Sequence, residues 1–153
     1  MVRLSDLSES EAAHILSVPC TDNDGSPWTV APDAASIRLA IVTTAGLSRR
    51  DDPAFKPSST DYRVVPADVP TSDLLMTHVS TNFDRSGFQQ DINVVFPIDR
   101  LRELADAGDI GSVAALHYSF MGAAEPEKLE AKSRELAGLL KEDRVNAVLL
   151  TPV

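Results

Sequence analysis

The sequence predicts an α/β fold, a mainly parallel sheet covered by helices. Three observations carry this expectation. Apolar runs with β-branched residues at 37–44 and 145–152 read as strands buried on both faces, which is the pattern of parallel pairing. Amphipathic segments at 97–105 and 125–141 read as covering helices. Strand, loop and helix alternate along the chain, so successive strands lie side by side with helices packed over them. The expected architecture is Rossmann- or flavodoxin-like and incomplete at its carboxyl end, with residues 1–36 forming a helix and linker and residues 37–153 the α/β domain.

Each element follows from local chemistry. Residues 5–17 place Leu7, Ala12, Ile15 and Leu16 at helical spacing behind Glu9 and Glu11, and Pro19 ends that helix. A turn-rich linker at 21–32 follows, with Trp28 expected to plug it onto the core. The first strand, Ile37-Arg38-Leu39-Ala40-Ile41-Val42, breaks into the small-residue turn Thr43-Thr44-Ala45-Gly46-Leu47, and the loop continues through Arg49, Arg50, Asp51 and Asp52. Short strands are expected at 62–65 and 74–79, the second followed by a polar loop at 80–91. In the helix over 97–105, Ile98, Leu101, Leu104 and Ala105 share a face, and Gly108 marks its end. A strand at 113–118 and the strong amphipathic helix at 125–141, with Leu129, Leu136, Leu139 and Leu140 inward, lead to the last strand.

Composition narrows the function. With 43% hydrophobic and 24% charged residues in 153, the chain has the make-up of a soluble globular domain with a sizeable core. A formal net charge of −9 argues against nucleic acid or an anionic membrane as partner. No apolar run reaches the length of a membrane span, and the start lacks the apolar stretch of a signal peptide, so a cytoplasmic location is expected. A single cysteine, Cys20, excludes an internal disulfide and reads as an incidental thiol.

In open α/β sheets, ligands bind beyond the carboxyl ends of the strands. The final strand runs into Val153 with no covering element after it, so the chain reads as cut beside its own site. Loss of later elements would leave apolar faces and an unpaired edge uncovered.

Several side chains are candidates for that site. Arg49 and Arg50 either clamp a carboxylate bidentately or pair within their own Arg-Arg-Asp-Asp turn. His78, with Asp84 and Asp91, either forms a metal or proton-transfer cluster or scaffolds a polar loop; the spacing matches no sharp metal motif, which favours the scaffold. His117 is either a catalytic acid or a neutral histidine bonded to the backbone, and Ser119 lies beside it at the same strand end. Thr44 and Gly46 belong to a turn whose backbone can cradle an anion, although it lacks the glycine count of a dinucleotide or P-loop motif. Asn93 and Asp99 are expected to cap the helix after Pro97.

Four blocks together resemble the selenoprotein B family, the substrate-specific subunits of glycine, sarcosine, betaine and D-proline reductases. They are Val42-Thr43-Thr44-Ala45-Gly46-Leu47, Asp91-Ile92-Asn93-Val94-Val95-Phe96-Pro97-Ile98-Asp99-Arg100-Leu101, His117-Tyr118-Ser119-Phe120-Met121-Gly122 and Ala147-Val148-Leu149-Leu150-Thr151-Pro152-Val153. The resemblance runs from about Ile37 to the last residue. It implies a redox-active selenocysteine or cysteine immediately after Val153, and hence translation cut short at an unrecognised selenocysteine codon. It also implies reductive cleavage of a carbon–nitrogen bond, with the amino-acid-like substrate held by a pyruvoyl-bearing partner subunit. On that reading this chain holds no cofactor of its own and no metal. The competing expectation is a non-catalytic α/β module that binds a small ligand. The nucleotides beyond the Val153 codon discriminate the two.

Overall fold

The computed structural model describes residues 3–18, 25, 27, 29–80 and 85–153. The chain divides into two compact units, Met1–Val30 and Ala31–Val153. In the first unit, helix α1 spans Glu9–Ser17 and starts at a capping box. Glu11 donates its amide to Ser8 Oγ, and the Glu11 carboxylate accepts from the Ser8 amide at 3.0 Å. No described residue of this helix is buried. Cys20 and Trp28 lie outside the described residues.

The second unit is α/β, with a mixed sheet. Its strands are β1 (Arg38–Thr43), β2 (Leu47–Arg49), β3 (Arg63–Pro66), β4 (Leu74–Met76), β5 (Ser112–Val113), β6 (Leu116–Ser119) and β7 (Ala147–Thr151). Its helices are α2 (Ser86–Gln90), α3 (Ile98–Asp106) and α4 (Pro126–Glu142). Strand β1 is the hub, paired in parallel with β5, β6 and β7. Alternation along the backbone sorts the partners. Ile37, Leu39 and Thr43 accept from Ser112, Ala114 and Phe120 on one flank, while Arg38 accepts from Asn146 and Thr44 donates to Thr151 on the other.

The parallel expectation therefore holds around β1 and fails outside it. Strand β3 runs antiparallel to β6, and β4 pairs antiparallel with β2 in a separate two-stranded ribbon. Neither departure has a local signal, because β3 and β4 are only four and three residues long. Strand β2 and helix α2 fall in segments expected to be loops.

Two apolar clusters sandwich the sheet. Ile41, Phe96, Ile98 and Leu101 form the centre of the first, joined by Leu39 and Leu149. Tyr118, Phe120 and Leu136 form the second, joined by Val42, Leu129 and Leu140. Consecutive residues Ile41 and Val42 go to opposite clusters, as the two-residue period of a strand requires. Strand β1 is thus covered on both faces.

Candidate functional site

The carboxyl ends of β1, β6 and β7 meet. Thr43 is in register with both Ser119 and Thr151, so the three strands stop at one edge. Thr43 Oγ1 donates to the Thr151 carbonyl at 3.2 Å, and the Thr44 amide donates to the same oxygen at 3.1 Å. Pro152 has no amide to offer. The next amide, that of Val153, donates to Thr44 Oγ1 at 2.8 Å. Gly122 seals the contact from the β6 side, donating to the Thr44 carbonyl at 3.0 Å. A Cβ on Gly122 would lie 2.9 Å from Thr44 Cβ and 3.0 Å from the Val153 carbonyl oxygen, so only glycine fits without a shift.

This is also the point where the chain reverses direction across the sheet. From β1 it moves to β6 on one flank, then returns through α4 to β7 on the other. Crevices form outside the carboxyl ends of strands at such reversals, because the loops diverge to opposite sides. Val153 stands at that place and remains 37% exposed.

The turn at 44–46 does not cradle an anion. Ala45 donates its amide to Thr43 Oγ1, Gly46 to the Phe120 carbonyl and Leu47 to Ser119 Oγ, so with Thr44 every amide of the turn is used internally. Gly46 has a different task. Its φ is +65°, and a Cβ there would lie 2.9 Å from the backbone of His78, whose segment crosses directly over the turn. Thr77 bonds the Gly46 carbonyl at 2.9 Å and fixes that crossing.

His78 is thereby brought to the carboxyl edge. It is buried, and its Nδ1 accepts from the Ser80 amide at 3.1 Å, which assigns the neutral ring its proton at Nε2. Burial pushes its pKa down, and the charge of Arg85 pushes the same way. Arg85 in turn donates to the carbonyls of His78 and Ser80. Asp84 lies outside the described residues.

His117 and Ser119 are fully buried within the sheet and serve its ladder. Between the pairs Leu39↔Val113 and Val42↔Tyr118, three steps on β1 face five on its neighbour. The two extra residues leave Ile41 without a facing carbonyl. His117 Nδ1 takes its place, accepting from the Ile41 amide at 3.0 Å. Burial pushes the His117 imidazole down to about 4, with the charges of Arg102 and Arg38 adding to it. Its ring meets Phe96 edge-to-face at 5.4 Å. Of the two readings of His117, this geometry is that of the backbone-bonded neutral histidine.

Arg49 and Arg50 stand at the other end of the β2–β4 ribbon, where Arg49 faces Leu74. Arg49 pairs with Asp52 at 3.2 Å and Arg50 donates to the Ser72 carbonyl at 3.1 Å. They border a recess of about 210 Å³ together with the acidic Asp51 and Asp73, an arrangement poorly suited to a carboxylate. Asn93 bridges Asp91 and Asp99, accepting the Asp99 amide at 3.1 Å, and so orders the start of α3 as its sequence position implies.

One feature had no sequence signal. A cavity of about 560 Å³ opens between β4 and residues 85–93, bordered by Met76, Arg85, Phe88, Asp91 and Asn93. That is the size of a small-molecule pocket. Arg85 links it to the His78 segment by its bond to the His78 carbonyl, while Thr71, Ser72 and Leu74 extend it toward the Arg49 end of the ribbon. Among the described residues no cluster of three or more His, Cys, Asp or Glu side chains is placed to hold a metal. No helix among them is long and apolar enough to cross a membrane.

Residues 5–153 match the family described as glycine/sarcosine/betaine reductase selenoprotein B, so the likeness begins well ahead of Ile37. The chain is 36% identical over 128 residues to D-proline reductase subunit gamma of Acetoanaerobium sticklandii, a match covering 81% of this chain and 52% of that one. It is 29% identical over 153 residues to the betaine reductase complex component B subunit beta of Peptoclostridium acidaminophilum, covering 97% and 35%. It is 30% identical over 125 residues to the glycine reductase complex component B subunit gamma of Carboxydothermus hydrogenoformans, covering 78% and 28%. The chain thus spans about half the length of the first of these relatives and less of the others. No solved structure matches it.

Proposed function

The chain belongs to the glycine/sarcosine/betaine reductase selenoprotein B family, and from that premise we propose that it works as a substrate-specific subunit of a cytoplasmic amino-acid reductase complex. Its chemistry is reductive cleavage of a carbon–nitrogen bond in a small amino-acid-like substrate. The reacting group is a selenol or thiol acting as its anion at the carboxyl edge, beside Val153. It attacks the carbon, and the amine departs with the bonding electron pair. A thiolate of a dithiol reductant then attacks the selenium or sulfur, and the carbon leaves with that bond's electron pair and takes a proton. The second thiol closes a disulfide and frees the selenol or thiol. The substrate is presented by a partner subunit that carries the pyruvoyl group.

The observation that carries this reading is the bond between the Val153 amide and Thr44 Oγ1. It ties the exit of β7 to the end of β1 at the reversal point of the sheet, where open α/β sheets bind their ligands. Thr44, Gly46 and His78 border the site. The adjoining cavity near Asp91 is the space in which the substrate's non-reacting groups lie. Neutral His78 is suited to hydrogen bonding with substrate rather than to carrying a positive charge.

The test is assembly. Mixed with the purified pyruvoyl-bearing subunit of a D-proline or glycine-type reductase, the chain is expected to form a stoichiometric complex by native mass spectrometry. Failure to bind any such subunit, with specific binding of a small ligand by the chain alone, favours the non-catalytic binding module instead.

A further inference from the structure

Among the described residues, strand β7 is paired on one flank only. Its register with β1, from Leu39↔Ala147 to Thr43↔Thr151, turns the backbone groups of Ala147, Leu149 and Thr151 toward β1. Those of Val148 and Leu150 point outward, and among the described residues no strand takes them.

The side chains tell the same story on the faces. Leu149 packs against the Ile41 and Phe96 cluster. Leu150 lies beside Val42, on the face covered by α4. Yet α4 does not reach it: Leu150 is 69% exposed and Val148 40%, and Leu139 on α4 is 36% exposed. No charged residue occurs between Arg144 and Val153, although the chain as a whole carries −9. Sheet edges left in water are normally guarded by lysine, proline or a bulge within the strand, and Ala147–Thr151 has none of these. Parallel strands are apolar on both faces because both are covered.

What covers this edge must supply a strand for the outward amides and carbonyls, and an apolar face for Val148, Leu150 and Leu139. The family offers a source. A match over 97% of this chain accounts for only 35% of the betaine reductase subunit, so these subunits hold much more polypeptide than the unit seen here. We propose that the β7 edge is the docking site for a parallel strand and its covering helix, supplied by the portion of the reductase subunit that this chain does not span. A helix is part of the proposal because parallel strands are joined through crossovers that lie on a face, and the uncovered face is the one beside α4. The docked unit also forms the second wall of the crevice at Thr44 and Val153. The proposal rests on family membership and on β7, not on the reaction, so its failure leaves the reductase reading standing.

Residue-resolved hydrogen exchange tests it, on this chain and on the whole betaine reductase component B subunit beta of Peptoclostridium acidaminophilum. In the isolated chain the Val148 and Leu150 amides are expected to exchange roughly a hundredfold faster than those of Leu149 and Thr151. In the whole subunit, both sets in the matching strand are expected to be protected. The proposal is overturned if a monomer of this chain already protects Val148 and Leu150, or if the outward amides of the whole subunit stay fast. It is also overturned if the chain is a dimer whose protection at Val148 disappears in Leu150→Lys, since the occupant is then a second copy. Uniformly fast exchange through β7 counts against it too, because a strand that does not hold cannot receive another.

Discussion

Val153 donates its backbone amide to the hydroxyl of Thr44 at 2.8 Å, 109 residues away in sequence. That bond and the pair made by Thr43 and Thr44 to the Thr151 carbonyl hold the exit of β7 against the end of β1. The Thr44 carbonyl is taken by the Gly122 amide, so the Thr44 hydroxyl replaces it as the acceptor for Val153. The edge proposed as the site is fixed by hydroxyls rather than by a glycine-rich loop.

Thr44→Val keeps the shape of the side chain and removes the acceptor for Val153. The expected loss is about 1 kcal/mol, the ordinary net value of one hydrogen bond. Thr44→Ser retains the hydroxyl and is expected to recover most of it. Chemical denaturation measures both, and equal stability of the valine variant and the parent would remove the bond from any role in holding the strand exit.

The glycines divide by surroundings. Gly46→Ala sets a Cβ at a φ of +65° and 2.9 Å from His78 backbone, where nothing flexible can give way. The expected cost is about 2–4 kcal/mol, from left-handed strain and overpacking together. Gly138 lies inside α4 with nothing within 4 Å of its would-be Cβ. Gly138→Ala is expected to stabilise by about 0.5–1 kcal/mol. Thermal melts of the two variants should move in opposite directions.

His117 makes stability depend on pH with a definite sign. Its folded-state pKa is lowered from 6.5 to about 4. Between those values the unfolded chain binds a proton that the folded one refuses, so stability rises with pH across that window. The contribution is complete above about pH 6.5 and is lost as pH falls toward 4, by up to about 3 kcal/mol. His117→Leu removes the titration and leaves the Ile41 amide without its partner. The variant should be weaker than the parent at pH 7.5, and the gap should narrow at pH 4.5. Comparing parent and variant cancels the acid response of His78 and the carboxylates. A gap that stays constant from pH 7.5 to 4.5 refutes the assignment.

How much of this was legible in the sequence depends on the range of each interaction. The apolar run of β1, the amphipathic face of α4 and the apolar run of β7 are local patterns and are found where the sequence places them. The reach of Asn93 to Asp91 and Asp99 spans six residues and was legible for the same reason. The role of His117 was not, because it depends on two surplus residues in a neighbouring strand meeting an amide 76 positions away. Nor was the separation of Arg49 and Arg50 from the carboxyl edge: β2 is three residues long, and its direction is set by pairing with β4 rather than by its own composition. The turn at 44–46 looked free to bind an anion because its composition does not reveal that Ser119 and Phe120 consume its amides.

The chain alone is expected to show no dithiol-dependent turnover of glycine, sarcosine, betaine or D-proline. Reductive cleavage needs a nucleophile that attacks as an anion and afterwards leaves to a dithiol, which among protein side chains means a thiol or selenol. The sequence holds one cysteine, Cys20, and it is not among the residues of the proposed site. Cys20→Ser should therefore leave assembly with the pyruvoyl-bearing subunit unchanged. Activity in the purified chain that survives Cys20→Ser would mean that the reaction runs without a thiol, and the proposed chemistry would be wrong. Activity that vanishes in Cys20→Ser would make Cys20 the nucleophile and overturn the proposed assignment. No turnover in either protein, with assembly intact in both, is the outcome that a subunit contributing the strand-end site without its own redox group requires.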